Sequence, residues 1–218
     1  MSQTEMPHRS YRGKRVVDLA IVSALAIPAA VIGVGCAAVI KLTSRGPVFF
    51  RQERIGLGGR PFRIWKFRTM VDEPDLDPFP DEAKITSAGR WLRRLSLDEL
   101  PQLINVARGE MSIVGPRPTL AYQVERYDER QRGRLSVRPG VTGLAMVRGR
   151  NALPWAERIE LDLRYVRQQS PGLDLRVMAE TIGTVLSGSG VSGHPTDDPI
   201  AAFPDNAAAT PDDRATDA

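Results

Sequence analysis

Two adjacent carboxylates, Asp98 and Glu99, lie in the segment RRLSLDELPQLINV at 93–106, just after a basic cluster of Arg90, Arg93 and Arg94. Neighbouring carboxylates repel one another, and a divalent cation or nearby guanidinium groups relieve that repulsion. A helix start would further favour ionised Asp98. One carboxylate is then free to attack phosphorus while the other holds a metal, which is a coherent arrangement for phosphoryl transfer. A purely structural use of the same residues is open as well. Ser96 to Glu99 has the spacing of a capping box, with Leu95 and Leu100 as a hydrophobic staple. With the cap at Asp98 instead, Pro101 falls where its missing donor costs little.

His8 and His194 are the only histidines and both lie outside the expected globular body, so a Ser-His-Asp triad and a histidine zinc site are disfavoured. Cys36 is solitary and leaves no disulfide framework or cysteine metal site. General-base work falls to carboxylates.

The elements that must position the pair begin with an apolar run at 16–40, VVDLAIVSALAIPAAVIGVGCAAVI, which exceeds the roughly 20 residues needed to span a bilayer core. It is long for a cleaved signal peptide, and no clear small-residue cleavage site precedes the next motif. Pro28 near its middle removes a backbone hydrogen bond and predicts a break in the helix. Basic residues flank both ends: Arg9, Arg12, Lys14 and Arg15 before, Lys41, Arg45, Arg51 and Arg54 after. Positive-inside bias on both flanks predicts a kinked helix entering and leaving on one face, rather than a straight crossing. Asp18 is expected to pair with Arg15 at the interface.

Between Val48 and Met70, two aromatic and β-branched runs around Gly58-Gly59 predict a β-hairpin. An acidic, proline-rich loop follows at 71–83. Leu92, Leu95, Leu100, Leu103 and Ile104 give an interrupted helical pattern, and GEMSIVGPRP at 109–118 holds Arg117 in a rigid Pro-Arg-Pro turn. Helical patterns follow at 119–132, 154–169 and 173–186, with a turn-rich RPGVTG at 138–143 between the first two. The fold class is α+β. The organisation reads as a basic segment at 1–13, a membrane helix at 14–41, a catalytic domain at 42–190 and a disordered acidic tail at 191–218.

That tail holds six Asp against Arg214 alone, which leaves 29 basic and 20 acidic groups, or +9, on the body. Only four of the 30 basic residues are Lys, and planar guanidinium forks suit phosphate oxygens. Anionic partners are expected. A basic nucleic-acid-binding protein would account for the arginines but not for the apolar run.

The ordered blocks KRVVD, GPVFFRQERIG, FRIWKFRTM, SLDELPQLINV, GEMSIVGPRP, RPGVTG and GRNA, spread over Arg9 to Ser192, resemble the small monotopic phosphoglycosyl transferases, the bacterial sugar transferase family. The resemblance implies a re-entrant, proline-broken membrane helix and a compact cytoplasmic domain with amphipathic interfacial helices at the bacterial inner membrane. It also implies ping-pong transfer of a sugar phosphate from a UDP-sugar to undecaprenyl phosphate, with release of UMP. Asp98 would be the nucleophile and Glu99 a Mg²⁺ ligand. Arg93 and Arg117 would offset phosphate charge, Lys66 and Arg68 would contact phosphate or lipid head groups, and Arg138 and Arg150 would shape the nucleotide-sugar pocket. Leu144, Met146 and Arg148 depart from the common family pattern, which leaves the sugar open. The competing reading is a non-catalytic membrane scaffold for polysaccharide assembly; intact Asp98, Glu99 and Arg117 argue against it.

Overall fold

The computed structural model describes residues 10–71, 84–149 and 153–187. The loop at 71–83 beyond its first residue, Arg150 with most of the GRNA block, and the acidic tail lie outside the described residues.

Helix α1 spans Lys14–Thr43 and reaches a mean hydropathy of 2.3 over 18 residues. At 1.5 Å per residue its 30 residues cover about 45 Å. Pro28 lies inside it and leaves the carbonyl of Ala24 without its usual N–H partner. Both ends of α1 pack on the same body. Near the start, Ile21 and Val22 join a core of Ile64, Val106, Met111, Ile113, Val114, Leu144, Tyr165 and Val177. Near the end, Cys36 and Ile40 pack with Phe67 and Leu92. Ile27, Val31 and Val34 between them are exposed, as a stretch meant for lipid would be.

Polar bonds fasten the helix base. Lys14 Nζ donates to Asp174 at 2.6 Å, and the same carboxylate accepts from the hydroxyls of Tyr11 at 2.8 Å and Tyr165 at 2.7 Å. Asp18 does not pair with Arg15. Its carboxylate accepts from Ser112 Oγ at 2.8 Å and from the backbone N–H of Ile113 at 3.0 Å, while Arg15 donates to the carbonyls of Val106 and Ala107. The buried donors on strand 112–114 offer Asp18 two bonds that an interfacial arginine cannot match, and Arg15 satisfies carbonyls at a helix end.

Strands β1 (Phe49–Ile55) and β2 (Pro61–Phe67) form the expected antiparallel hairpin, with Phe50 opposite Lys66 and Arg54 opposite Phe62. Gly58 and Gly59 close it with φ of 64° and 78°, a region where a side chain would be strained. Helix α2 (Ser87–Arg94) is capped by Thr86, whose Oγ1 accepts from Gly89 N–H at 2.9 Å. Helix α3 (Gln102–Arg108) follows after a 3-10 turn at Leu97–Glu99.

RPGVTG is not a turn. Its Gly140–Thr142 forms strand β4, parallel to β3 (Ser112–Val114). A Cβ on Gly140 would lie 2.1 Å from the nitrogen of Gly115, so glycine is needed for close backbone approach. The helical pattern at 119–132 divides into α4 (Ala121–Glu125) and α5 (Glu129–Arg132), because Asp128 and Gln131 form a capping box that starts a new helix. Helices α6 (Leu144–Arg148), α7 (Trp155–Gln168) and α8 (Pro171–Ser187) complete the body. A further core of Val124, Tyr127, Leu135, Trp155, Ile159 and Leu163 joins α4 and α7.

Candidate active site

Asp98 and Glu99 sit in the 3-10 turn between α2 and α3, not in a capped α-helix. Ser96 makes no side-chain cap bond to the turn and adopts φ 54°, the one positive φ outside glycine among the described residues. That conformation costs of order 1 kcal/mol or more and is found most often at functional positions. Leu95 is exposed, so the hydrophobic staple does not form either. Pro101 starts the α-helix proper, where its missing donor removes no ladder bond.

Asn105 ties this turn to the hairpin. Fully buried on α3, it accepts from Trp65 N–H at 3.0 Å and donates to the carbonyl of Arg63 at 2.8 Å and to Glu110 at 2.7 Å. With α3 locked to β2, Lys66 Nζ reaches Glu99 Oε1 at 2.9 Å. Arg117 Nη2 bonds the same oxygen at 3.3 Å. Arg93 Nε donates to Thr69 Oγ1 at 2.9 Å, which holds it beside Asp98.

The two carboxylates are treated differently by this setting. Burial opposes ionisation of Glu99, but Lys66 and Arg117 override it and hold the carboxyl well below the usual range. Asp98 is pushed up to about 6, first by burial, with Glu99 adding to the effect and Lys66, Arg93 and Arg117 opposing it. Asp98 is 9% exposed, and among the described residues its carboxylate accepts no hydrogen bond. A desolvated oxygen with free lone pairs is a stronger nucleophile than one tied up by donors.

Both cations on Glu99 take Oε1. Oε2 has no partner among the described residues, so it suits a hard cation that takes one or two protein carboxylates and completes its shell with phosphate oxygens and water. Among the described residues no group of three or more His, Cys, Asp and Glu is available to form an all-protein cage. The donors therefore fit Mg²⁺ shared with a phosphorylated substrate.

Arg117 is fixed from behind. Buried Arg134 donates to the carbonyl of Arg117 at 3.0 Å and is itself held by Asp162 and Tyr127. The Pro-Arg-Pro turn thus has a tertiary clamp as well as its own stiffness.

The structure brings Asp98, Glu99, Lys66, Arg93 and Arg117 together. It does not bring Arg68 or Arg138. Arg68 is buried and donates to the carbonyls of Ser44 and Arg45 and to Ser44 Oγ, so both terminal nitrogens serve the exit of α1 rather than a phosphate. Arg138 Nε donates to the carbonyl of Gly109 at 2.8 Å, at the end of α3 remote from the carboxylates and about 10 Å along that helix. Orphan carbonyls at helix ends are strong acceptors and outcompete solvent for these guanidiniums. Asn105, Thr69, Arg134 and Asp162 were not legible as site-building residues. Arg54 was legible in principle, as a charge at an inward position of an alternating strand.

A family model described as bacterial sugar transferase matches residues 9–188. The chain belongs to the bacterial sugar transferase family. It is 46% identical over 180 residues to an uncharacterized sugar transferase, EpsL, of Bacillus subtilis, covering 82% of this chain and 89% of that one. It is 42% identical over 189 residues to a UDP-glucose:undecaprenyl-phosphate glucose-1-phosphate transferase of Caulobacter vibrioides, covering 80% and 70%. A Klebsiella pneumoniae transferase of the same name is 40% identical over 181 residues, which span 78% of this chain but 39% of that longer relative.

Proposed function

We propose that this protein transfers a sugar 1-phosphate from a UDP-sugar to undecaprenyl phosphate, at the inner membrane and with the body facing the cytoplasm, as an early step of exopolysaccharide or glycoconjugate assembly. The observation that supports it most is Asp98: buried, accepting no hydrogen bond among the described residues, and set among Lys66, Arg93, Arg117 and Glu99. The names of the Caulobacter and Klebsiella relatives point to the same reaction class and make UDP-glucose the first donor to try.

In the first half-reaction, an Asp98 carboxylate oxygen attacks the β-phosphorus of the UDP-sugar. A P–O bond to Asp98 forms, the P–O bond to the bridging oxygen breaks, and UMP leaves with that oxygen. In the second, a phosphate oxygen of the lipid attacks the same phosphorus. The Asp98–phosphorus bond breaks, giving polyprenyl diphosphate sugar and free Asp98. Arg117, Lys66 and Arg93 offset charge developing on the phosphoryl oxygens where burial magnifies each interaction. Mg²⁺ held at Glu99 would neutralise the diphosphate. The packing of both ends of α1 on one body supports re-entry of the helix around Pro28, which would keep the body at the surface where the lipid phosphate lies.

The test is full-length protein in nanodiscs given Mg²⁺ and a panel of UDP-sugars without lipid acceptor. The reading expects one equivalent of UMP per active site and an intact-mass gain equal to one phosphosugar, discharged when undecaprenyl phosphate is added. UMP release that requires lipid from the outset would show direct transfer and remove the covalent step.

A further inference from the structure

Lys66, Glu99 and Arg117 form a short row of alternating charge, and beyond Arg117 the row ends on a cation with no paired anion among the described residues. Residues 50, 52 and 54 of β1 lie opposite 66, 64 and 62 of β2, so period-two alternation places Arg54 on the same hairpin face as Lys66. At the far end of β1, Ile55 N–H donates to the carbonyl of Thr119 at 2.8 Å, which draws the strand to the turn carrying Arg117. The guanidinium of Arg54 donates to Gln52 Oε1, a neutral acceptor, and its Nε is buried with no partner among the described residues. Among the described residues no carboxylate forms an ion pair with it. Glu99, a carboxylate whose charge acts on Arg54 after that of Tyr122, is already engaged by Lys66 and Arg117.

Arg54 is half-buried with its Nε enclosed, and such a cation beside another cation is unfavourable unless something anionic completes the set. Burial and then the charge of Arg117 lower its proton affinity to about 10, so Arg54 is still charged at neutral pH. A guanidinium fork with an unused Nε–H matches a phosphate oxygen in geometry as well as charge.

We infer that Arg54 is a substrate-binding residue, which together with Arg117 takes the oxygens of a phosphate group beside the Asp98–Glu99 turn. This rests on the phosphoglycosyl transfer reading above. The phosphate belongs either to the nucleotide diphosphate or to the lipid acceptor, and both have the chemistry the two guanidiniums ask for. Neither fold nor charge balance otherwise calls for Arg54, since a purely packing residue at this inward position would be served better by an apolar side chain such as that of Phe62, opposite it in the hairpin.

The experiment compares wild type with Arg54→Met and Arg54→Lys, all full-length in nanodiscs. The readouts are the KM for each substrate, the Kd for UDP measured without turnover, and the melting temperature. Loss of a charge-assisted bond predicts a rise of roughly 10- to 100-fold in one KM for Arg54→Met, partly restored in Arg54→Lys, with the melting temperature unchanged or higher. A rise confined to the UDP-sugar, accompanied by weaker UDP binding, places the nucleotide diphosphate at Arg54. A rise confined to undecaprenyl phosphate, with UDP binding intact, places the lipid phosphate there. Unchanged KM values, or a fall in melting temperature with both KM values unmoved, overturns the inference and makes Arg54 structural. Failure of the broader reading shows differently, as a wild-type protein that releases no UMP from any sugar. Binding of UDP and of undecaprenyl phosphate can still be measured in that case: weakening of either in Arg54→Met retains Arg54 as a phosphate site, and equal binding of both ends the proposal.

Discussion

Asp98 and Asp162 are the same residue type, both are buried and stand near Arg117, and burial pushes the carboxyl of each up to about 6, yet the protein bonds them differently. Asp162 bonds directly to Arg134, which in turn bonds Tyr127 and the carbonyl of Arg117. Asp98 has cations around it but accepts no bond among the described residues. Asp18 and Asp174 follow Asp162, each bonded by two or more donors. The buried carboxylates that tie elements together accept bonds from named donors, and Asp98 accepts none among the described residues. Such bonds fix geometry, whereas an oxygen without them keeps its lone pairs, as the proposed attack on phosphorus requires.

The sharpest way to break this contrast is to exchange the two losses. Asp98→Asn is expected to lower UMP release by at least about 10³-fold, as removal of a nucleophile does, while the melting temperature stays level or rises. A variant retaining a tenth of wild-type activity would show that another group attacks. Asp162→Ala should do the reverse first: about 3–5 kcal/mol of stability lost in denaturant unfolding, because Arg134 is left buried and uncompensated. Wild-type stability in that variant would mean that water or Tyr127 replaces the pair.

Smaller effects sharpen the comparison within the site. Lys66→Met removes a charge-assisted bond to Glu99, and a loss of about 1.5–3 kcal/mol in transition-state stabilisation, or roughly 10- to 100-fold in kcat/KM, is expected. Arg138→Ala removes one bond to the carbonyl of Gly109 and should cost about 1 kcal/mol of stability with KM unchanged. A raised KM for the UDP-sugar in Arg138→Ala would return that residue to the pocket.

The proton balance of Asp98 gives opposite signs for activity and stability. Its carboxyl is raised to about 6 in the folded state, above the ordinary value near ~4. The protonated form is therefore favoured by the fold, and the stability this contributes is fully present below about pH 4 and lost as pH rises through about 6. The proposed attack by Asp98 needs the ionised form, so UMP release is expected to fall as pH drops through about 6. A pH–rate profile flat down to pH 4.5 would show Asp98 to be an ordinary solvated carboxylate.

Some of this organisation was legible because it depends on local pattern. The apolar run of α1, the hairpin around Gly58-Gly59, α7 and α8 follow from hydrophobic period and turn chemistry, which neighbours in the chain set by themselves. The Asp98–Glu99 pair and its family resemblance were also readable, since both are runs of adjacent residues. Long-range partners were not. Asp18 turned to Ser112 and Ile113 rather than Arg15 because the competing donors are 94 and 95 residues away in sequence. RPGVTG looked like a turn because its glycines serve close approach to Gly115, which no local signal reveals.

By itself, the sequence determined which side chains are available: one apolar stretch interrupted by Pro28, a carboxylate pair inside SLDELPQLINV beside a basic cluster, and an excess of arginine over lysine. Only the tertiary structure decided how those arginines divide. Arg68, Arg138 and Arg15 go to carbonyls at helix ends, Arg134 goes to Asp162, and Arg93 and Arg117 remain at the carboxylates. The physical reason is that a guanidinium's role depends on which acceptors lie within about 3 Å of it after folding. Those acceptors come from segments far apart along the chain.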